Sequence, residues 1–580
     1  MKRQSTLRSL FTFLLASSLL FTFNACKEDE EIGPAPTVSA GSGTQGIPGA
    51  TVQISASINA PEGIQSLTVL KNGQQWDTKT YPAGTTSDNY AKDYVVEQLP
   101  VNSVVTFTFQ ATDSRNQTST LATQTLTVSA LPAKQVVDVQ GVLEGNITWT
   151  KDKIYKLIGF VRVGEDPTVD GQPTKTGTLT IQPGTLIIGD RASKATLVVQ
   201  RGSKIIAEGT AAEPIVFTSE RPVGEREPGD WGGLVICGKA TNNQPNGVFQ
   251  LEGGYGAFSG GNDDNDNSGS LKYVRVEYAG VPINPNQEVN SFTFGSVGKA
   301  TKMEYLQASF GLDDSFEWFG GTSDAKYLIS WKGYDDDFDV DFGYRGNVQY
   351  AIAVRGNTLA DQSGSNGFEV DNNGQGTLVE PFTSGTFSNV SIIGPKVDAS
   401  TAISAQFQNG MHLRRSNKLK IYNTVVVGFP NGIFIDGSST QQFAASGDLV
   451  LNRVVIAGVE GWGSNNFGLG STPGGYAVRD VNTAATPAPI TIGTQTPSAW
   501  FLAQPGNKIH NSYANLGLNP AIFTNNPNFL ISTSASQTLA TGGQAPAGSF
   551  FTATDFIGAF KDQDWTAGWA EFNPQAEVYR

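Results

Sequence analysis

Asp313-Asp314-Ser315-Phe316-Glu317-Trp318, Asp335-Asp336-Asp337-Phe338-Asp339-Val340-Asp341 and Asn366-Gly367-Phe368-Glu369-Val370-Asp371 are three copies of one short template. Two weaker copies follow, Asn409-Gly410-Met411-His412-Leu413 and Asn431-Gly432-Ile433-Phe434-Ile435. Each reads Asp or Asn, a small or acidic residue, an apolar residue, an outward residue and another apolar residue. Alternation with period two sends the apolar pair to one side of a strand and the residue between them to the other. Recurrence every few tens of residues is the mark of a solenoid. With strands this short and turns this rich in Gly and Asn, the solenoid is a β-helix.

Stacking turns the template into chemistry. Coils lie about 4.8 Å apart, so Glu317, Asp339 and Glu369 are expected to form one outward column, with His412 above them. Asp341 and Asp371 then form the neighbouring column. Carboxylates roughly 5 Å apart repel by about 3 kcal/mol per pair at an effective dielectric near 20. Such columns need a cation, a basic partner or raised pKa values. Asp339, Asp341, Glu369 and Asp371 are therefore the candidate ligands of a divalent cation, calcium being the hard ion that takes oxygen donors. Glu317, Arg345, His412 and Arg414 are the candidate ligand-binding residues, Arg345 and Arg414 being the competing means of neutralising the patch. The leading Asp or Asn of each copy reads as a turn ladder of stacked side chains.

The ends of the chain have other roles. Lys2, Arg3 and Arg8 precede an apolar run from Leu10 to Phe23 that is short for a membrane span, so residues 1–25 read as a signal peptide. Ala25-Cys26 at its end resembles a lipobox, and Cys26-Lys27-Glu28-Asp29-Glu30-Glu31 is similar to the acidic export signal of Bacteroidota-type lipoproteins. That resemblance implies a lipid on Cys26, an acidic tether over 26–35 and a place on the outer membrane, exposed at the cell surface. The net charge of −14 excludes nucleic acid as a partner held through the overall field. Of two cysteines, Cys26 is assigned to the lipid, which leaves Cys237 as a small buried hydrophobe.

Residues 36–130 hold alternating runs at Thr51–Ala56, Leu67–Leu70, Val104–Phe109 and Thr125–Val128, with a turn at Asn72-Gly73. This spacing predicts a small Ig-like β-sandwich. Residues 131–580 carry the solenoid, with a cap from about 551 in which Trp565, Trp569 and Phe572 cover its open end. Its opening segments, from Gly177–Thr185 through Gly229–Ile236, and the later Tyr273–Gly280, Phe319–Thr322 and Gly558–Phe560, resemble pectate-lyase-like, right-handed parallel β-helices of surface lipoproteins. Most members of that group have no assigned activity. The resemblance implies an all-β fold and, by analogy alone, an extended glycan or a surface protein as partner. The Gly260–Asn267 loop reads as a solvated insertion rather than a calcium loop, since no closing Glu follows.

Two histidines, His412 and His510, leave no metal or triad motif. A non-catalytic binding protein is the first expectation. A calcium-assisted polysaccharide lyase or glycoside hydrolase on the β-helix face is the alternative, and a structural adhesin the third.

Overall fold

The computed structural model describes residues 33–168, 172–284, 287–397, 400–458, 476–510, 516–531 and 537–579. Cys26 and the segment before it lie outside the described residues, as do residues 459–475 of the long Gly- and Asn-rich excursion. The chain divides into two compact units at Ala133/Lys134. Among the described residues no helix is long and apolar enough to cross a membrane.

The first unit packs two sheets around Ile54, Leu67, Val69, Phe107, Phe109 and Leu126. One sheet is the antiparallel set Thr37–Ala40, Thr51–Asn59 and Ser87–Val95. The other orders Thr44–Gly46, Ala122–Val128, Val104–Asp113, Ile64–Lys71 and Gln74–Thr80. Asn72 and Gly73 both take positive φ, 51° and 81°, which is what a two-residue hairpin turn requires.

The second unit is a parallel β-helix, in which 23 described strands from Gln135–Leu143 to Lys508–His510 join in one continuous sheet, while Val248–Gln250 and Phe258–Gly260 form a separate antiparallel hairpin. From Gly269 onward each coil is one long strand and one short one. The long strands, such as Lys302–Ser309, Asp324–Trp331 and Asn347–Val354, each serve two faces because a single left-handed residue bends them. Tyr273, Tyr305, Tyr327, Tyr350, Asn389, Asn423 and Arg453 occupy that corner on successive coils, with φ between 48° and 63°. The left-handed region costs a non-glycine residue roughly 1–2 kcal/mol. Stacking offsets this at the tyrosines, whose rings lie 4.4, 4.3 and 5.1 Å apart up the ladder. Asn tolerates the conformation through its short polar side chain.

The short strands are the template copies. Phe292, Phe316, Phe338 and Phe368 stack inward at 5.0, 5.9 and 5.2 Å, and Met411 and Ile433 continue the column. The small second residue has a spatial cause. A Cβ on Gly367, Gly410 or Gly432 would collide with Ile392, Val426 or Ile456 on the adjoining strand.

The C-terminal segment departs from its expected place. It runs back along the side of the helix, against Trp331, Ile352, Ile393 and Val425, instead of closing the end. Trp569 packs edge-on to Tyr273 and Tyr305, and Phe572 to Trp331. Apolarity alone predicts a cover for the open end; the direction of the chain that carries these aromatics is set by side chains of distant coils.

Candidate functional site

The outward residues of the short strands stack in the register Thr293, Glu317, Asp339, Glu369, His412, Phe434. Period-two alternation therefore places three carboxylates on three successive coils. The Asp/Asn ladder beside them is built as a relay. Asp314 Oδ1 accepts from the Asp336 N–H at 2.8 Å, Asp336 Oδ1 from Asn366 N–H at 2.5 Å, and Asn366 Oδ1 from Asn409 N–H at 3.1 Å. Each side chain thus satisfies the backbone of the next coil and fixes its register.

This ladder brings the leading aspartates into the same patch as the column. Three overlapping triads result: Asp313, Asp314 and Asp335; Asp314, Glu317 and Asp339; Asp336, Asp339 and Glu369. Within each, one oxygen from every residue lies within 4.8 Å of the others. Burial, followed by repulsion from Glu369, Asp341 and Asp371, raises the Asp339 carboxyl well above its ordinary range. Glu317 is raised by burial and by Asp339, and Asp314 by burial, Asp313 and Asp336. Burial pushes Asp335 up to about 7, against the opposing hydrogen bond from Ser363. Asp335 Oδ1 is buried without a hydrogen-bond partner.

Positive charge meets this patch at two places: Arg355, paired with Asp337 at 3.1 Å, draws the Asp335 carboxyl down, and two further arginines stand by Glu369. Arg414 donates to Glu369 and to Asp371 at 2.8 Å, and Arg415 donates to Asp371 at 2.5 Å. Asp371 is therefore neutralised by two guanidinium groups. Asp341 lies in the neighbouring column, and its Oδ1 accepts from the Phe342 N–H at 2.6 Å. Of the four expected cation ligands, Asp339 and Glu369 fall in the triads while Asp341 and Asp371 do not. The oxygen-rich centre lies nearer Asp314 and Glu317, on earlier coils.

Arg345 is elsewhere. It donates to Asp264 at 2.8 Å and to Thr241 at 2.5 Å, which pins the Gly260–Asn267 loop. Asp264 also accepts from the Thr241 backbone at 3.0 Å, so this loop is fastened to the coil instead of extending into water.

His412 closes the column. Its ring stacks on Phe434 at 5.1 Å, its Nε2 lies 3.3 Å from Asp436 and its Nδ1 lies 4.0 Å from Glu369. Two cavities flank it. One of about 340 Å³ is lined by Arg414, Arg415 and Ser438–Thr440, and one of about 410 Å³ by Gln408, Asn409, Asn431 and Arg479.

Loop residues missing from the sequence reading complete the acidic field. Glu252 is pushed up to about 7 by burial and by Glu288, and both add to the repulsion at Asp313. No sequence pattern links them to the templates, since they come from insertions between coils. Cys237 is fully buried, and burial pushes its thiol up to about 12, consistent with packing and not reactivity.

The donors fit a hard divalent cation. They are carboxylate oxygens grouped within bridging reach, they include a buried oxygen with no partner, and of their carboxylates only Glu369 has a guanidinium ion pair among the described residues. Comparison with known proteins bears on the fold that carries them. Residues 141–485 match the family model described as a pectate-lyase like beta helix domain. Pectate lyase Pel3 from Pectobacterium carotovorum matches at 8% identity, covering 68% of this chain and 86% of that one, with a TM-score of 0.14. The CbhA fibronectin(III)-like modules of Clostridium thermocellum match at 15% identity over 16% of this chain, with a TM-score of 0.13. This chain spans 47% of the length of that structure. No curated protein matches. With more than half of its length matched by the family model, the chain belongs to the family of pectate-lyase-like β-helix domains.

Proposed function

We propose that the acidic face binds an extended acidic glycan through divalent cations, calcium first, on a lipoprotein held at the outer cell surface by Cys26. The observation that carries this reading is the set of three overlapping carboxylate triads that share Asp314 and Asp339 along successive coils. A single salt-bridge site would need one pair of opposite charges, whereas among the described residues a guanidinium ion pair reaches these triads only at Glu369, with Arg355 acting on Asp335 through space. A bound cation would neutralise the row and offer open positions to carboxylates of the glycan. The repeat along the helix axis suits a polymer lying across several coils.

The test is retention of chelated protein on a panel of acidic polysaccharides with and without added calcium. Calcium-dependent retention that is lost in Asp314→Asn/Asp339→Asn supports the reading, and equal retention in chelator refutes it.

His412 supports a second, catalytic reading. A nearly buried imidazole paired with Asp436, next to Glu369 and Arg414 and between two cavities, has the parts of a proton-transfer site. Unsaturated or reducing-end products from the same polysaccharides, abolished in His412→Ala, would establish a lyase or hydrolase. Retention without product release leaves binding as the function.

A further inference from the structure

The wall beneath the C-terminal strap grips that strap by its main chain. Gln307 donates to the Glu571 carbonyl at 2.5 Å and accepts from the Glu571 N–H at 2.9 Å. Gln349 does the same to Thr552, both bonds at 2.8 Å, and Asn423 to Gln544, both at 2.9 Å. Asn389 donates to the Phe556 and Gly558 carbonyls at 3.1 and 3.2 Å. Lower on the wall, Arg275 donates to the Trp569 carbonyl at 3.2 Å and Arg226 to the Pro574 carbonyl at 2.6 Å.

Four of these six wall side chains are carboxamides, each presenting a donor and an acceptor together as a neighbouring β-strand would. Three of them use both on one strap residue. The strap is thus read as extended backbone, by the logic of strand addition but with side chains supplying the ladder. Its side chains add aromatic anchors, Trp565 against Tyr327 and Trp569 against Tyr273 and Tyr305, and a few polar contacts, among them Lys326 to the Thr552 hydroxyl at 3.0 Å and the Tyr579 hydroxyl to Glu277 at 2.6 Å. The wall itself needs no strap strand to complete its sheet, since its strands already pair up and down the helix.

We propose that this lateral wall is a receptor for extended polypeptide that reads main chain and aromatic anchors, and that the strap is its separable occupant, replaceable by the same segment from a second copy. The inference is independent of the acidic face.

The test uses the full chain with a protease site inserted between Thr541 and Gly542, at an exposed turn where a Cβ on Gly542 would meet nothing. After folding and cleavage, the 542–580 fragment is expected to stay with the body through gel filtration and to exchange with a labelled synthetic peptide of that sequence. Gln307→Ala and Gln349→Ala in the body should each weaken peptide binding about tenfold, the loss of two hydrogen bonds. Glu571→Ala in the peptide, whose carboxylate bonds the Asn573 N–H within the strap, and Gln563→Ala at an exposed position should each change it less than about threefold by the same reasoning. Immediate release from a folded body, loss of the body's fold on cleavage, or a retained fragment that never exchanges would each overturn the proposal. So would a peptide whose Ala variants lose as much as the wall variants.

Discussion

Acidification should stabilise this protein in chelator, against the usual direction. An Asp in an unfolded chain titrates near 4, whereas Asp335 in the fold titrates near 7. Between those values the folded state binds more protons than the unfolded state, so stability falls as pH rises from about 4 to about 7. The full shift at Asp335 corresponds to about 4 kcal/mol, and partial exposure reduces this to about 2 kcal/mol. Asp339, Glu317, Asp314 and Asp336 are also raised, by burial and like charge, and they add in the same sense. A unit of about 450 residues has an unfolding entropy near 1 kcal/mol per degree, so 2 to 4 kcal/mol moves Tm by about 2 to 4 °C. The assay is thermal unfolding in chelator from pH 8 to pH 5, repeated with calcium at about a hundredfold over its dissociation constant. Calcium should add about 2.7 kcal/mol at pH 8 and flatten the pH dependence, because bound cation replaces the protons. A chelated protein whose Tm falls steadily on acidification from pH 8 to pH 5 would show that these carboxyls are not protonated in the fold.

Three further outcomes are expected. Arg414→Ala removes the partner of Glu369 and one of two partners of Asp371; a broken buried pair costs about 3–5 kcal/mol, reduced here to about 2 kcal/mol by partial exposure and by Arg415, and urea unfolding would show the loss at pH 8 and its shrinkage at pH 5. Gly410→Ala forces a methyl against Val426 and should destabilise by about 1–3 kcal/mol, whereas Gly447→Ala, with open space around it but φ of 83°, tests strain alone. Replacing Cys26 by Ala should leave unprocessed precursor by mass spectrometry, and an unmodified N-terminus elsewhere in the wild type would remove the lipid anchor from the account.

Much of the site was legible because stacking is periodic. The order Glu317, Asp339, Glu369, His412 follows from aligning the templates, and parallel register makes the alignment literal. What the alignment could not supply was the partition of charge. Arg345 sits next to a template yet turns to Asp264, since an insertion of the preceding coils reaches it first. Asp371 looked like a cation ligand, but Arg414 and Arg415 follow the His412 copy directly and are carried above it by one coil rise. Glu252 and Glu288 arrive from loops whose paths no local pattern encodes. The corner ladder was also hidden. Tyr273, Tyr305 and Tyr327 read as ordinary strand residues, because tertiary stacking and not local propensity holds them left-handed. The strap's direction depends on amide side chains more than a hundred residues away.

In the proposed function, the shared carboxylates Asp314 and Asp339 make the acidic row a cation site. Calorimetric titration of metal-free protein with calcium at pH 8 tests it directly, comparing wild type with Asp314→Asn/Asp339→Asn. Saturable binding is expected in the wild type, with proton release, and its loss in the variant while the fold is retained. Absence of binding in the wild type, or unchanged binding in the variant, would contradict it.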